Sequence, residues 1–150
     1  SSQSELLVFA MRAVMERIEE RVTRVPPPDD SLAAAKVVLA ELLPLDAERR
    51  AENEVWFAFT AQARFDEQLG ALRDEAYDRL RMASERWTDS LLPTADADER
   101  RIEAEHLFAL IDGLAVHSAM RPDPADPELL TAVLHRHLDR LASRRTKSRT

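Results

Sequence analysis

The segment from Leu107 to Met120 is apolar around its whole circumference, and it constrains the fold more than any other part of the chain. Only Asp112, His117 and Ser118 interrupt the apolar surface, so a helix formed by this segment needs cover on both sides. One small domain rarely supplies such cover alone. After a short turn rich in proline, a second helical pattern runs from Pro127 to Ala142, which predicts an antiparallel pair of helices.

The first helix of this pair has two apolar faces when residues are placed at 100° intervals. We assign the face with His106, Leu110 and His117 to the interior of the chain. The opposite face and the leucine stripe of the second helix would be exposed in a monomer, so we expect a two-fold partner and a four-helix interface. The predicted interface residues are Leu107, Phe108, Ile111, Ala115, Leu130, Leu134, His137, Leu138 and Leu141.

The composition indicates an all-α protein. Only 2 of the 150 residues are Gly, 33% are charged, and the 8 Pro cluster between periodic segments. This length suits one domain, and we expect an antiparallel bundle of about six helices. Without Cys there is no disulfide framework, and no apolar run approaches the roughly 20 residues that cross a bilayer. These features predict a cytoplasmic protein that does not contact the membrane.

Proline and capping residues divide the chain into helices. Ser2 and Glu5 fit a capping box before a helix of about 20 residues. Asp30 or Ser31, then Asp46, then Asp66 are the expected N-caps of the next three helices. These helices are predicted over residues 32–43, 47–65 and 67–92, after a polyproline connector at 25–30, and we expect residues 143–150 to be a disordered basic tail.

Inward positions of the helices combine aromatic side chains with methionines and few polar groups. Such a set is typical of a small-molecule pocket, and the alternative is that the same side chains fill a solid core. The predicted ligand-binding residues are Met11, Met15, Trp56, Phe59, Thr60, Tyr77, Leu80, Trp87, His106, Leu110 and His117.

The sequence contains one incomplete metal-binding motif. Glu103 and His106 have the Glu-x-x-His spacing of di-iron bundles, but such a site needs a second copy of the motif and two further inward carboxylates. The sequence contains no nucleophile elbow or Gly-rich phosphate loop. We therefore expect no enzyme activity, no metal and no cofactor. The net charge of -7 also argues against nucleic-acid binding by this chain as a whole.

Four stretches together resemble the C-terminal ligand-binding domain of the TetR family of transcriptional regulators, close to its BetI-like branch. They are residues 2–7, 45–59, 75–80 and 109–115, and the similarity spans about residues 2 to 142. The patterns at 45–57 and 109–115 are the more specific ones, because their order and spacing both fit. The family's helix-turn-helix module would precede Ser2 and is absent from this sequence. The chain is therefore expected to be a portion of a longer protein, with residues 1–142 as its effector-binding and dimerisation domain.

The resemblance implies a homodimeric repressor that releases operator DNA when a small hydrophobic or cationic organic ligand binds. DNA would be contacted only through the missing module. The alternative is a helical protein-interaction scaffold without a small-molecule ligand.

Overall fold

Six α-helices make up the described part of the chain, and it contains no strand. The computed structural model describes residues 2–25, 29–121, 123 and 125–147, with side chains as far as 144 at the C-terminal end. Parts of the predicted polyproline connector, of the proline-rich turn and of the basic tail lie outside these residues. The helices are α1 (Ser2–Arg24), α2 (Ser31–Ala40), α3 (Ala47–Gln62), α4 (Glu67–Leu91), α5 (Ala97–Met120) and α6 (Pro127–Lys147).

Aspartates begin the helices from α2 to α6. The carboxylates of Asp30, Asp46 and Asp66 accept backbone N–H hydrogen bonds from the first turns of α2, α3 and α4, as the sequence predicts. Asp96 and Asp126 do the same for α5 and α6, at 2.8 and 2.9 Å. A side-chain oxygen at this position satisfies a donor that the helix itself leaves unpaired.

The helices enclose two separate apolar clusters. The smaller one joins α1, α3 and the first half of α4, with Met11, Val14, Phe59, Ala63, Leu69 and Leu72 buried. The larger one joins α2, α5, α6 and the end of α4, with Ala35, Leu39, Leu43, Leu91, Leu92, Leu107, Ile111, Leu130, Leu134, Leu138 and Leu141 buried. No helix in the described ranges is long and apolar enough to span a membrane.

The leucine stripe of α6 lies in the core of a single chain, which corrects the expectation that it stands exposed. Leu134 and Leu138 are 0% exposed, and Leu130 and Leu141 are at most 5% exposed. On α5, Leu107 and Ile111 face the same cluster. The physical reason is that α2 and the end of α4 cover this side of the α5–α6 hairpin, so no second copy is needed to bury the stripe.

Helix α6 continues to Lys147, beyond the predicted end at Ala142. The guanidinium group of Arg144 binds the carboxylates of Glu99 and Glu103 on α5. These ion pairs give the last turns of α6 tertiary contacts that a sequence pattern does not reveal. The expectation of a disordered tail is therefore wrong for residues 143–147, while residues 148–150 lie outside the described part.

Candidate ligand site between the two cores

Three aromatic rings from three helices meet between the two apolar clusters. Tyr77 of α4 lies at the centre, with its ring centroid 5.2 Å from Trp56 of α3 and 5.7 Å from Phe108 of α5. Trp56 also contacts Phe59, at 5.9 Å between centroids. These separations are those of favourable edge-to-face and tilted ring pairs, so the rings themselves fill the space between α3, α4 and α5.

Asp112 is the acidic group at this aromatic cluster. Its Oδ1 accepts a long hydrogen bond of 3.5 Å from the Tyr77 hydroxyl, and its side chain is half-buried. Burial raises the pKa of Asp112, and the hydrogen bond from Tyr77 lowers it only in part. Burial and the nearby carboxylate also raise the pKa of Tyr77. No basic side chain forms an ion pair with Asp112 within the described residues.

A second polar group, Asn53, borders the cluster from α3. Its side-chain amide donates to the backbone carbonyl of Ala115, at 3.1 Å, one turn beyond Asp112 on α5. The site therefore has aromatic walls and two polar groups, one of them a carboxylate. Binding sites for small molecules commonly combine a mostly apolar wall with a few such groups.

The predicted pocket residues divide between different environments. Tyr77 and Trp56 are part of the aromatic cluster, and Met11 and Phe59 are buried in the smaller core. The hydroxyl of Thr60 donates to a backbone carbonyl within its own helix, at 3.1 Å. Met15 packs against the smaller core, whereas Leu80 and Trp87 pack against the larger core.

Three of the predicted pocket residues lie on the outside of the molecule instead. His106 and His117 are exposed, and Leu110 lines a surface groove between α5 and α6. The assignment of the two faces of α5 was therefore inverted. Since both faces are apolar, the distribution of residues along α5 does not decide which face turns inward.

Phe108 and Ala115, predicted at the dimer interface, turn instead towards α3 and α4. Phe108 completes the aromatic cluster, and Ala115 accepts the hydrogen bond from Asn53. Sequence reasoning missed Asp112 and Asn53 as site residues. The available signal was the single carboxylate in the otherwise apolar segment of α5, which is hard to explain unless it has a partner.

The Glu103–His106 pair does not form a metal centre with other groups. The ring Nδ1 of His106 lies 3.3 Å from Oε2 of Glu103, but Arg144 binds the same carboxylate. Burial alone would raise the pKa of Glu103, and the hydrogen bonds from His106 and Arg144 lower it below its usual value. Across the described part of the chain, no group of three or more His, Asp or Glu residues could hold a metal ion.

Grooves on the surface lie away from the aromatic cluster. One, of about 460 Å³, follows the turn between α3 and α4 and is bordered by Phe65, Gly70 and Arg73. Another, of about 310 Å³, lies between α5 and α6. Neither groove is lined by Trp56, Tyr77, Phe108 or Asp112.

Helix α3 connects the aromatic cluster to α1. One turn before Trp56, the buried carboxylate of Glu52 receives two hydrogen bonds from Arg21 of α1, at 2.8 and 2.7 Å. Arg17 approaches the same carboxylate at 3.4 Å. At the opposite end of α1, the Ser4 hydroxyl donates to the Asp66 carboxylate, at 2.7 Å. Each end of α1 is thus bonded to the elements that carry the site.

The known proteins that are similar to this chain are transcriptional regulators. The family described as BetI-type transcriptional repressor, C-terminal, matches residues 31–143. The HTH-type transcriptional regulator PksA of Bacillus subtilis (strain 168) is 36% identical over 152 residues, which cover 98% of this chain and 72% of that protein. The crystal structure of a transcriptional regulator from Rhodococcus sp. Rha1 superposes with a TM-score of 0.78 at 26% identity, over 94% of this chain and 73% of that one. The chain is therefore a C-terminal domain of a TetR-family transcriptional regulator, of the BetI type.

Proposed function

We propose that this domain senses a small organic cation and that, in the intact regulator, binding of the cation releases operator DNA. The family supplies the regulatory context, since similar proteins are transcriptional regulators. The nature of the ligand is inferred from the residues at the aromatic cluster. The DNA-binding step belongs to a module outside this chain.

Asp112 is the observation that carries the proposal. A half-buried carboxylate is costly unless a positive charge or several hydrogen bonds compensate it. Among the described residues, Asp112 accepts a single long hydrogen bond, from the Tyr77 hydroxyl at 3.5 Å. A cationic ligand would supply the missing charge, whereas a neutral ligand would bury the carboxylate further without compensating it.

The aromatic rings favour the same class of ligand. A cation within about 6 Å of the face of an aromatic ring gains about 0.5–2 kcal/mol, and Trp is the best partner. Trp56, Tyr77 and Phe108 could contribute such contacts together if the rings part around the ligand. Met15, which packs against the same apolar cluster as Trp56, provides an adaptable wall.

The coupling route in this proposal runs from Trp56 to Glu52 and then to Arg21 on α1. Displacement of Trp56 would move the turn of α3 that holds Glu52, and the ion pair would transmit that movement to α1. In a dimer, two DNA-reading helices must meet half-sites about 34–36 Å apart. A small change in the direction of α1 would then weaken operator binding, because the ligand favours the state that fits DNA less well.

We also propose that two copies associate through the outward face of the α5–α6 hairpin, rather than through the leucine stripe. Large apolar side chains on this face are exposed: Ile102 by 54%, Met120 by 72% and Leu129 by 56%. At Gly113 an added Cβ would have no neighbour within 4 Å. Glycine in a helix interior lowers helix stability by about 1 kcal/mol relative to alanine. Close approach of another helix backbone would explain why glycine is present at this position.

Charge also makes this outward face complementary to itself. Arg136 and Arg140 have no ion-pair partner among the described residues, and neither do the exposed carboxylates Glu105 and Glu128. A two-fold copy could pair these groups between chains.

Ligand binding can be tested with a panel of aromatic quaternary ammonium ions, each matched by a neutral analogue with carbon in place of nitrogen. A ligand that binds only the folded state at 100 times its Kd stabilises it by about 2.7 kcal/mol, which raises the melting temperature. The cations should produce this shift and the neutral analogues should not.

Two variants and one control complete the test. Asp112→Asn and Trp56→Ala should reduce the response, while Asp98→Asn, which removes an exposed carboxylate, should retain it. Equal responses to cations and neutral analogues would reject Asp112 as the counter-ion. If no member of the panel binds at millimolar concentration, the proposal of a cation sensor is wrong and a protein-interaction scaffold becomes the better explanation.

A further inference from the structure

The groove between α5 and α6 is lined by both apolar and basic side chains. Leu110, Leu129 and Val133 are its large apolar residues, and Arg136 and Arg140 are its basic residues. This groove is part of the outward face that we assign to contact between copies. Its volume is about 310 Å³.

His137 lies in the wall of this groove, and its imidazole ring is half-buried. Its Nε2 is out of contact with solvent and has no hydrogen-bond partner in the described part of the chain. A protonated ring would carry an N–H at this atom, so the charged form would leave a buried donor unpaired. In the neutral form the buried Nε2 can carry a lone pair instead of a hydrogen, and an unpaired acceptor at this position costs less free energy than an unpaired charged donor.

The groups around His137 do not offer a free negative charge. From α5 it faces Glu103 and His106, and from its own helix it faces Arg140. The Glu103 carboxylate, which would favour the charged ring, is already bound by Arg144 and His106. Helix α4 contributes the apolar Trp87 and Leu91 to this core, and Lys36 of α2 binds Asp139 elsewhere on α6.

We propose that protonation of His137 separates two copies of this chain, so that self-association responds to acidification. The proposal rests on the two-copy contact proposed above and adds that this contact is regulated by pH. A second copy would cover the groove and remove the remaining exposed part of the ring from water. Two-fold symmetry places two such rings in each dimer, so two protons must be taken up to charge both.

Electrostatics within one chain already acts in the required direction. Burial lowers the pKa of His137, the charges of His106 and Arg140 lower it further, and Glu103 opposes them. Cover by a second copy increases burial, which lowers the pKa again, while Arg136 and Arg140 neutralise the carboxylates that we propose the second copy brings to this face. By linkage, the dimer then binds fewer protons than the separated chains near pH 6, and acidification favours the separated chains.

Sedimentation equilibrium of the chain at pH 8, 7, 6 and 5.5 tests the proposal at constant ionic strength. We expect the dimer dissociation constant to rise about tenfold or more between pH 7 and pH 5.5. In His137→Gln the dissociation constant should lose most of this dependence on pH, whatever its value at pH 8. The matched control is His135→Gln, two positions away on the same helix but outside the groove, and it should retain the dependence.

A second measurement keeps the test decisive if His137→Gln fails to fold. NMR titration of the natural chain should give a lower pKa for His137 in concentrated samples than in diluted ones. A dimer whose affinity does not change with pH would overturn the inference and leave the two-copy contact intact. Tighter association in acid, or equal pH dependence in His137→Gln, would also overturn it. A monomer at every pH would reject the two-copy contact itself.

Discussion

Arg21 and Glu52 form a two-armed ion pair that holds the end of α1 against α3. The guanidinium nitrogens lie 2.8 and 2.7 Å from the two carboxylate oxygens, and the Glu52 side chain is only 6% exposed. The hydrogen bonds that Arg21 donates to Glu52 raise the pKa of Arg21. A third group, Glu41 at the end of α2, accepts from Nε of Arg21 at 3.1 Å. One arginine thus joins three helices.

Removal of one member of this ion pair should destabilise the domain strongly. Glu52→Ala leaves Arg21 partly buried with less compensation, and breaking a buried pair in this way costs about 3 kcal/mol. Urea denaturation measures the loss. Glu20→Ala, which breaks an exposed pair with Arg24, is the matched control and should change stability little.

The double variant Arg21→Met with Glu52→Leu separates the two contributions to that loss, which are the lost attraction of the pair and the cost of leaving Arg21 buried without Glu52. It removes both charges together and should recover most of the stability lost by Glu52→Ala. If Glu52→Ala has nearly the same urea midpoint of unfolding as the natural chain, the ion pair is effectively solvated.

Leu134 and Leu110 should respond differently because they lie on opposite sides of the α5–α6 hairpin. Leu134 is 0% exposed in the core of one chain, so Leu134→Ala should lower the unfolding free energy by about 3 kcal/mol through the cavity it leaves. Leu110 lines the outward groove, so Leu110→Glu should weaken self-association while the helices stay folded. Circular dichroism and light scattering distinguish the two effects.

Two outcomes would contradict this assignment. If Leu134→Ala stays folded but dissociates into monomers, the leucine stripe of α6 is part of the interface between copies. Full dimerisation of Leu110→Glu at micromolar concentration would exclude the outward face.

Asp112→Asn should make the domain more stable at neutral pH. Burial raises the pKa of Asp112, so the folded chain keeps this proton at a pH where the unfolded chain has already lost it. The stability contributed by this group is present near pH 4 and is lost as the pH rises through the raised pKa. The Asn variant lacks this loss, so its melting temperature should exceed that of the natural chain at pH 7.

The two melting temperatures should converge as the pH falls towards 4. A constant difference over that range would mean that Asp112 titrates as it does in the unfolded chain. The same variant should lose the response to cations. The Asp112 carboxylate would then lower the stability of the domain and at the same time be required for binding.

In the intact regulator, a bulky residue at Met15 should alter induction. Met15 is half-buried and packs, like Trp56, against the smaller core, on the α1 side of the proposed coupling route. Met15→Trp should shift the ligand concentration that releases operator DNA. Without ligand, its affinity for the operator should stay close to that of the regulator with Met15. Unchanged inducer sensitivity in a titration of operator release would exclude α1 from the route.

Local sequence determined where most helices begin and end. Asp30, Asp46 and Asp66 cap α2, α3 and α4 as predicted, because capping depends on a few neighbouring residues. Helices α2 and α3 each end three residues earlier than the apolar pattern suggests, at Ala40 and Gln62. The all-α class and the family membership, which are now confirmed, were also readable from the sequence.

The tertiary structure alone decided which face of α5 turns inward. Leu107 and His106 are neighbours in a segment that is apolar all round, so helical periodicity offers two equivalent choices. The choice depends on α2 and α4, which contribute Leu39 and Leu91 to the core beneath Leu107. Asp112 was visible as a polar interruption, but its meaning required Tyr77, 35 positions away, to lie beside it. Burial and charge balance depend on such distant neighbours, which local sequence does not specify.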